Sequence, residues 1–305
     1  MEKQSTKRRH GDAASSIELI DISKSFGSVA ANKNISMKIS QGTIHGIIGE
    51  NGAGKSTLMS ILYGFYKADN GKILIDGKPV NITDSNAAIA SGIGMVFQHF
   101  KLVENFSVLE NVVLGVEDGP FLSSSIQKAR INLKALAIEY ELNVDPDATI
   151  DSLGVGIRQR VEILKALYRK AKILILDEPT GVLTPAEADH LFRILKNLKE
   201  EGKTIIFITH KLREIMEITD TVSVMRQGAM TATVKTKDTN PSELAELMVG
   251  RKVLLRVDKK PSSPGKEVLN IHGLNVVDHD GIQRLTNINL SVNAGEILGI
   301  AGVAG

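Results

Sequence analysis

The stretch "GENGAGKST", residues 49–57, constrains this chain more than any other, because it satisfies the pattern G-x-x-x-x-G-K-[ST]. In that pattern the glycines let backbone N–H groups converge on phosphate oxygens, and the start of a helix adds a favourable dipole. We expect Lys55 to neutralise the β and γ phosphates of a nucleotide, and the Ser56 hydroxyl to coordinate Mg²⁺. The predicted phosphate-binding residues are Gly49, Glu50, Asn51, Gly52, Ala53, Gly54, Lys55, Ser56 and Thr57.

The residues on either side of this loop fit the structural context that the motif requires. Before it, "TIHGII" at residues 43–48 is a short apolar strand. A strand, a glycine-rich loop and a helix in this order predict a phosphate site rather than a plain glycine turn. After the loop, apolar residues recur at the spacing of one helix face: Leu58, Ile61, Leu62 and Phe65.

A second motif places two carboxylates at the end of a buried strand. The aliphatic run in "KILILDEPT", residues 172–180, is typical of a parallel strand that is covered on both faces. Ligands of a doubly wound sheet lie beyond the carboxyl ends of its strands, which is where Asp177 and Glu178 fall. We expect Asp177 to hold Mg²⁺ directly or through water, and Glu178 to be the general base that orients the attacking water.

Two more predicted strands end on polar side chains that can reach the same place. "GIGMVFQ" ends at Gln98, and "TIIFITH" ends at His210. We predict that Gln98 contacts the metal and the attacking water, and that His210 contacts the γ-phosphate and orients Glu178. Either residue alone would indicate a structural side chain. Their order along the chain with the two motifs favours a catalytic role.

Composition narrows the setting in which this chemistry takes place. With 305 residues, 42% of them hydrophobic, the chain is long enough for about two domains. A net charge of +2 argues against nucleic acid as a partner. The chain has no cysteine for disulfides, no apolar run of membrane-spanning length and no signal peptide, so we expect a soluble, internal protein. The polar first 16 residues predict a disordered tail rather than a basic contact arm.

Together with "LGVGIRQRVEILKAL" from Leu153, these motifs resemble the ATPase domain of ABC transporters over nearly all of residues 17–250. The resemblance implies an α/β P-loop NTPase fold with a mostly parallel core sheet, an antiparallel β subdomain and a helical subdomain. It implies ATP and Mg²⁺ as cofactors, and ATP hydrolysis coupled to transport. It also implies that Phe26 stacks on adenine, with a plain strand residue as the alternative. Residues 99–152 would form the helical subdomain that touches the membrane partner.

The family's signature loop, which acts in trans on the nucleotide of an opposing domain, departs here from its usual Leu-Ser-Gly-Gly-Gln. The serine hydroxyl is missing, and residues 181–184 also depart from the usual Ser-Ala-Leu-Asp. Both departures resemble the first ATPase domain of the simple-sugar and nucleoside importers, which carry two such domains in one chain. In this chain the signature positions are Leu153, Gly154, Val155 and Gly156.

This resemblance also implies the partners and the location of the protein. The partners would be membrane permease subunits and a second ATPase domain or another copy of the chain. The location would be the cytoplasm, on the inner face of the cell membrane. Independently of the resemblance, Thr184, Pro185 and Glu187 predict a helix that begins with a capping box, and Gly202 predicts its end.

The end of the chain repeats its beginning. "NISMKISQGTIHGIIGENG" from Asn34 aligns without gaps with "NINLSVNAGEILGIAGVAG" from Asn287. We therefore expect a tail at 1–16, an ABC ATPase domain at 17–250, a linker at 251–267 and the start of a second ATPase domain at 268–305, truncated within its phosphate loop. So short a piece cannot bury its apolar face unaided, so we expect it to extend freely or pair loosely with the first domain. A truncated gene, a frameshift or a partial sequence would each produce this ending.

Two other functions stay open from the sequence. A truncated remnant would bind ATP without driving transport. A soluble translation factor with paired ABC domains is less favoured, because the predicted linker is short and rich in proline and serine instead of being a long charged helix. A chromosome-maintenance ATPase is excluded, because no long coiled coil separates Lys55 from Asp177.

Overall fold

A computed structural model describes residues 15–98, 100–115, 122–252, 263–279 and 281–301. The chain divides into two compact units, Met1–Val253 and Leu254–Gly305. Most of the predicted amino-terminal tail, most of the predicted linker and the last four residues lie outside the described residues.

The helices and strands of the two units follow in chain order. Those of the first unit are β1 Ser15–Phe26, β2 Val29–Ser40, β3 Ile44–Ile48, α1 Lys55–Leu62, β4 Asn70–Ile75, β5 Lys78–Val80, α2 Ser85–Ala90, β6 Ile93–Val96, α3 Val108–Val113, α4 Leu122–Glu139, α5 Val155–Tyr168, β7 Ile173–Asp177, α6 Pro185–Glu200, β8 Thr204–Ile208, α7 Leu212–Ile218, β9 Thr221–Arg226, β10 Ala229–Lys235 and α8 Pro241–Val249. Those of the second unit are β11 Glu267–Val277 and β12 Gln283–Asn293.

A six-stranded sheet in the order β10-β9-β3-β8-β7-β6 forms the centre of the first unit. Its neighbouring strands are parallel except for the β9–β10 pair. Strands β3, β7 and β8 are buried at every residue, as their continuous apolar runs predict. Because these three strands are adjacent and parallel, the loops that follow them meet at one edge of the sheet.

An antiparallel sheet and a group of helices cover the two faces of this core. The four-stranded sheet has the order β2-β1-β4-β5, and its apolar side chains pack with those of α1, including Leu58 and Met59. Helices α3, α4 and α5 contribute to the other apolar cluster, for example with Val112, Leu133 and Leu164. The mostly parallel core sheet, the antiparallel sheet and the group of helices confirm the predicted fold class.

The helix that follows the glycine-rich loop is shorter than the sequence pattern predicts. Helix α1 ends at Leu62, and Gly64 then adopts a left-handed conformation with φ of 84°. A side chain at Gly64 would collide with the backbone of Asp84, so glycine is required at this reversal. Phe65 therefore lies beyond the helix, where its ring stacks on Phe97 with the centroids 5.4 Å apart. The prediction that Phe65 extends the helix face is wrong.

Helix α6 begins with the predicted capping box. The Thr184 hydroxyl accepts a hydrogen bond from the Glu187 amide at 3.4 Å, and the Glu187 carboxylate accepts one from the Thr184 amide at 2.9 Å. Pro185 occupies the first helical position, where its missing N–H costs nothing. Gly202, with φ of 84°, follows the end of the helix. This local prediction is confirmed.

The second unit repeats the backbone geometry of the first hairpin. Leu269 pairs with Val292 across β11 and β12, as Ile17 pairs with Ile39 across β1 and β2. The left-handed residues Asp21 and Asn34, with φ of 53° and 48°, correspond to Gly273 and Asn287, with φ of 58° and 51°. In both hairpins the amide of the first of these residues donates to a side chain on the opposite strand at 2.9 Å. The same irregular hairpin thus occurs in both units.

A buried histidine should make the stability of the first unit depend on pH. His45 is 1% exposed, its Nε2 lies 2.8 Å from the Ser223 hydroxyl, and burial lowers its pKa from 6.5 to about 4. Between about pH 6.5 and about pH 4, the unfolded chain binds a proton at this residue and the folded chain does not. We therefore expect neutral His45 to contribute about 3 kcal/mol to the free energy of unfolding. This contribution should be present in full above pH 6.5 and lost as the pH falls towards 4.

The measurement is the free energy of unfolding in urea at several pH values for the wild type and for His45→Gln. The substitution removes the titrating group and keeps a polar atom near Ser223. The stability difference between the two proteins should change between pH 6.5 and 4. A difference that is constant with pH would contradict the prediction.

Candidate functional site

The loops that follow β3, β6, β7 and β8 surround a cleft of about 760 Å³. This volume lies within the range of small-molecule sites. The cleft brings together side chains that are far apart in the sequence, as the sequence analysis predicts. Its lining includes residues 51–57 together with Gln98, Glu178 and His210.

The glycine-rich loop wraps around the amino terminus of α1. Gly54 is the N-cap residue, with φ of 96°, and no side chain caps the first turn. The N–H groups of that turn are therefore available to an anion. A side chain at Gly54 would collide with the carbonyl of Ala31, and one at Gly49 would collide with the carbonyl of Met225. Glycine is thus required at both positions by close backbone approach, and at Gly54 also by conformation.

The ammonium group of Lys55 closes the loop. It donates to the carbonyls of Gly49 at 2.8 Å and Glu50 at 3.0 Å. Burial lowers the pKa of Lys55, and the nearby carboxylates of Glu178 and Asp177 oppose that change. A phosphate group would add further negative charge beside this buried cation.

Asp177 and Ser56 together provide oxygen atoms for a hard cation. Asp177 is 6% exposed, and burial raises the pKa of its carboxyl, while a hydrogen bond from Ser56 opposes that change. Its Oδ1 atom is buried and has no hydrogen-bond partner. Mg²⁺ is usually held by one or two carboxylates plus substrate phosphates, so an unpartnered carboxylate oxygen beside a hydroxyl fits this ion. Within the described residues no cluster of three His, Asp or Glu side chains could hold a metal without such phosphates.

The candidate base and the candidate histidine are in contact. His210 Nδ1 lies 2.9 Å from Glu178 Oε1. Glu178 itself has φ of 49°, a backbone conformation that costs energy in any residue but glycine. Its placement opposite His210 therefore depends on the structure around it. The orientation of the base by the histidine stays a prediction.

Phe26 is not among the described residues that line the cleft. It lies at the end of β1, 43% exposed, with its ring edge-to-face against Tyr66 at a centroid distance of 5.1 Å. Val29 and Ala30, just across the hairpin turn, do line the cleft. Adenine stacking by Phe26 stays a prediction.

The signature residues lie apart from this cleft. Gly154 is the N-cap of α5, and Val155 beside it is exposed. A side chain at Gly156 would collide with the Glu187 carboxylate, so the start of α5 approaches α6 closely. None of the four described signature residues lines the cleft of their own domain. Their predicted action on an opposing domain stays a prediction.

The residues that support the loop from outside could not be identified from the sequence. Asn32, buried in β2, donates to the Gly54 carbonyl at 3.1 Å. The amide of Gly228 donates to the Ala53 carbonyl at 3.1 Å, and the Gly228 carbonyl accepts from Lys33 at 2.7 Å. The sequence indicates a turn at Gly228, but no local pattern shows which loop that turn would contact.

This cleft, at the carboxyl edge of a mostly parallel sheet and around a glycine-rich loop, defines a P-loop nucleotide-binding domain. Residues 32–181 match the family model described as ABC transporter. This part of the chain is an ABC transporter domain, as its motifs predict. Within the described residues no helix is both long and apolar enough to cross a membrane.

Curated relatives include import ATP-binding proteins. The chain is 50% identical over 289 residues to the guanosine import ATP-binding protein NupO of Bacillus subtilis. It is 47% identical over 289 residues to the nucleoside import ATP-binding protein NupA of Lactococcus lactis, and 44% identical over 317 residues to the glucose import ATP-binding protein TsgD13 of Haloferax volcanii. These alignments cover 95% of the chain but only 57% or 58% of each relative. The chain thus spans little more than half the length of these relatives.

Solved structures with the same fold are also ATP-binding cassettes. A nucleotide-free cassette from an ABC transporter superposes with a TM-score of 0.67 at 26% identity, covering 76% of this chain and 98% of that one. The ADP conformation of MJ1267, another such cassette, also has a TM-score of 0.67, at 27% identity, and covers 78% of this chain and 99% of its own.

Proposed function

We propose that this chain binds and hydrolyses ATP as the energy-supplying part of an ABC importer for nucleosides or simple sugars. The observation that carries the proposal is the convergence of the glycine-rich loop, Glu178 and His210 at one cleft, with Asp177 hydrogen-bonded to Ser56 of that loop. Each is a residue type that phosphoryl transfer to water requires, and they come from three neighbouring strands. The import function rests on relatives whose names describe them as import ATP-binding proteins.

In this proposal the residues of the loop bind and orient the nucleotide. Lys55 and the free N–H groups of α1 neutralise the β and γ phosphates. Ser56, Asp177 and Gln98 hold Mg²⁺, which when bound would neutralise phosphate charge as the leaving group departs. Phe26 contacts the adenine ring. Residues 153–156 act on the nucleotide of an opposing domain.

Glu178 and His210 handle the attacking water. The carboxylate of Glu178 takes a proton from the water as its oxygen approaches the γ-phosphate. When His210 carries its own proton on Nδ1, it donates to Glu178 Oε1 and fixes the direction of the other carboxylate oxygen. The same ring is 53% exposed and lines the cleft, so it is available for the predicted contact with the γ-phosphate.

The partners in this proposal are membrane permease subunits and an opposing ATPase domain, at the cytoplasmic face of the membrane. We propose residues 17–250 as the ATPase domain, residues 251–267 as the linker and residues 268–305 as part of a second ATPase domain. The repeated hairpin of β11 and β12 supports this division. The importer names of the relatives favour transport over the remnant and the translation factor.

Deletion of the gene in its own organism tests the import function. Uptake of labelled guanosine, ribose and glucose would be measured, and we expect uptake of at least one to fall. A plasmid that encodes the wild type should restore uptake, and one that encodes Lys55→Ala should not. Unchanged uptake of all three solutes would contradict the proposed substrate class. Equal rescue by both plasmids would contradict the dependence on ATP.

A further inference from the structure

Glu214 is a buried carboxylate that has no part in the site described so far. It lies in the first turn of α7 and is 8% exposed. Burying a carboxylate is costly unless hydrogen-bond donors satisfy its oxygens. Here the donors come from two loops, and each loop carries a residue of the candidate site.

The two loops are those that follow β7 and β8. Thr180 Oγ1 donates to Glu214 Oε1 at 2.6 Å, and Thr209 Oγ1 donates to Glu214 Oε2 at 3.0 Å. Thr180 comes two residues after Glu178, and Thr209 immediately precedes His210. One carboxylate therefore joins the backbone segments that carry the candidate base and the candidate histidine.

Lys211 strengthens this connection from the second loop. Its Nζ lies 3.1 Å from Glu214 Oε1 and donates to the Thr180 carbonyl at 3.0 Å. In addition, Gln159 of α5 donates to the Pro179 carbonyl at 2.7 Å. The backbone just after the candidate base is thus held by side chains from two other elements. Charge-assisted and buried bonds of this kind hold their partners firmly.

The candidate base needs such support. Glu178 adopts the left-handed backbone conformation, and its 2.9 Å contact with His210 requires both loops to keep their relative position. We infer that Glu214 is a positioning residue for ATP hydrolysis. Through Thr180 and Thr209 it keeps the Glu178 carboxylate opposite the His210 ring, without touching the nucleotide. The inference rests on the proposed function.

Kinetics of Glu214→Gln test the inference. Glutamine keeps the size of the side chain but replaces one acceptor oxygen with an NH₂ group, so one of the two threonine hydroxyls loses its acceptor. Since small misplacements of catalytic groups are costly, we expect kcat for Mg-ATP to fall by about 10-fold or more and KM to change by less than about twofold. Glu217→Gln, at a surface pair with Arg213 on the same helix, is the matched control and should leave both values unchanged.

Hydrogen exchange of the 305-residue chain provides a readout that does not depend on turnover. In Glu214→Gln, amides of residues 178–184 and 208–211 should exchange faster, while those of residues 49–57 should not change. Thr180→Ser and Thr209→Ser keep the hydroxyls and should behave like the wild type. Thr180→Val and Thr209→Val keep the volume without the hydroxyl and should reproduce the loss of kcat. If Glu214→Gln fails to fold, these two valine variants test the same inference.

Two results would overturn the inference. One is exchange in the two loops that is the same in Glu214→Gln and in the wild type. The other is a variant whose KM rises while its kcat is unchanged, because that pattern indicates a role in binding. If the wild type and Lys55→Ala show the same ATP turnover, the proposed function fails instead. The exchange measurement alone then decides whether Glu214 holds the two loops in position.

Discussion

Replacing Lys55 with alanine should abolish most of the stabilisation that Mg-ATP gives to the chain. At about 100 times its dissociation constant, a ligand that binds only the folded state stabilises it by about 2.7 kcal/mol. The ammonium of Lys55 closes the loop through bonds of 2.8 and 3.0 Å and is the cation that would meet the β and γ phosphates. Without it, the phosphates would face only neutral donors at this point.

Thermal unfolding with and without Mg-ATP measures this effect for both proteins. Lys67→Ala, which removes an exposed lysine away from the cleft, is the matched control and should respond like the wild type. Equal responses of Lys55→Ala and the wild type would show that the loop does not bind the nucleotide phosphates. The substitution should alter the unliganded protein as well, so the comparison is the shift produced by nucleotide within each protein.

Replacing Glu178 with glutamine should separate nucleotide binding from hydrolysis. Glutamine keeps the size and the hydrogen bond to His210 but cannot take a proton from water. We therefore expect turnover to fall by about 10²-fold or more while the affinity for Mg-ATP is retained. Steady-state phosphate release and equilibrium binding of a fluorescent ATP analogue measure the two quantities.

Glu200→Gln, an exposed carboxylate at the end of α6, controls for the loss of one negative charge and should change neither quantity. Unchanged turnover in Glu178→Gln would move the general base elsewhere, and His210 would be the next candidate because it lies 2.9 Å from the same carboxylate. A loss of affinity equal to the loss of turnover would instead indicate that Glu178 helps to form the binding site.

Several features of the site could be predicted because they depend on residues close together in the sequence. The glycine-rich loop needs a particular order of glycines, a lysine and a hydroxyl, and the structure places these residues around the start of α1. The capping box at Thr184 depends on four consecutive residues, and it forms as predicted. The buried strand before Asp177 is visible as an unbroken aliphatic run. The repeat of β2 as β12 is likewise readable in the sequence as a constant offset.

The tertiary structure decided which of these local features meet. The order β3-β8-β7 brings His210 to Glu178, although 32 positions separate them, and α7 places Glu214 between their loops. A run of apolar residues shows that a strand is buried, but it does not show which strand lies beside it. For the same reason, the contact of Gly228 with the phosphate loop could not be predicted from the sequence. The end of α1 at Leu62 could not be predicted either, because it depends on the close approach of Gly64 to the backbone of Asp84. By itself, the sequence determined the kind of chemistry, because its motifs are local. The tertiary structure alone decided how the candidate catalytic side chains are held, because those contacts join segments that only strand order brings together.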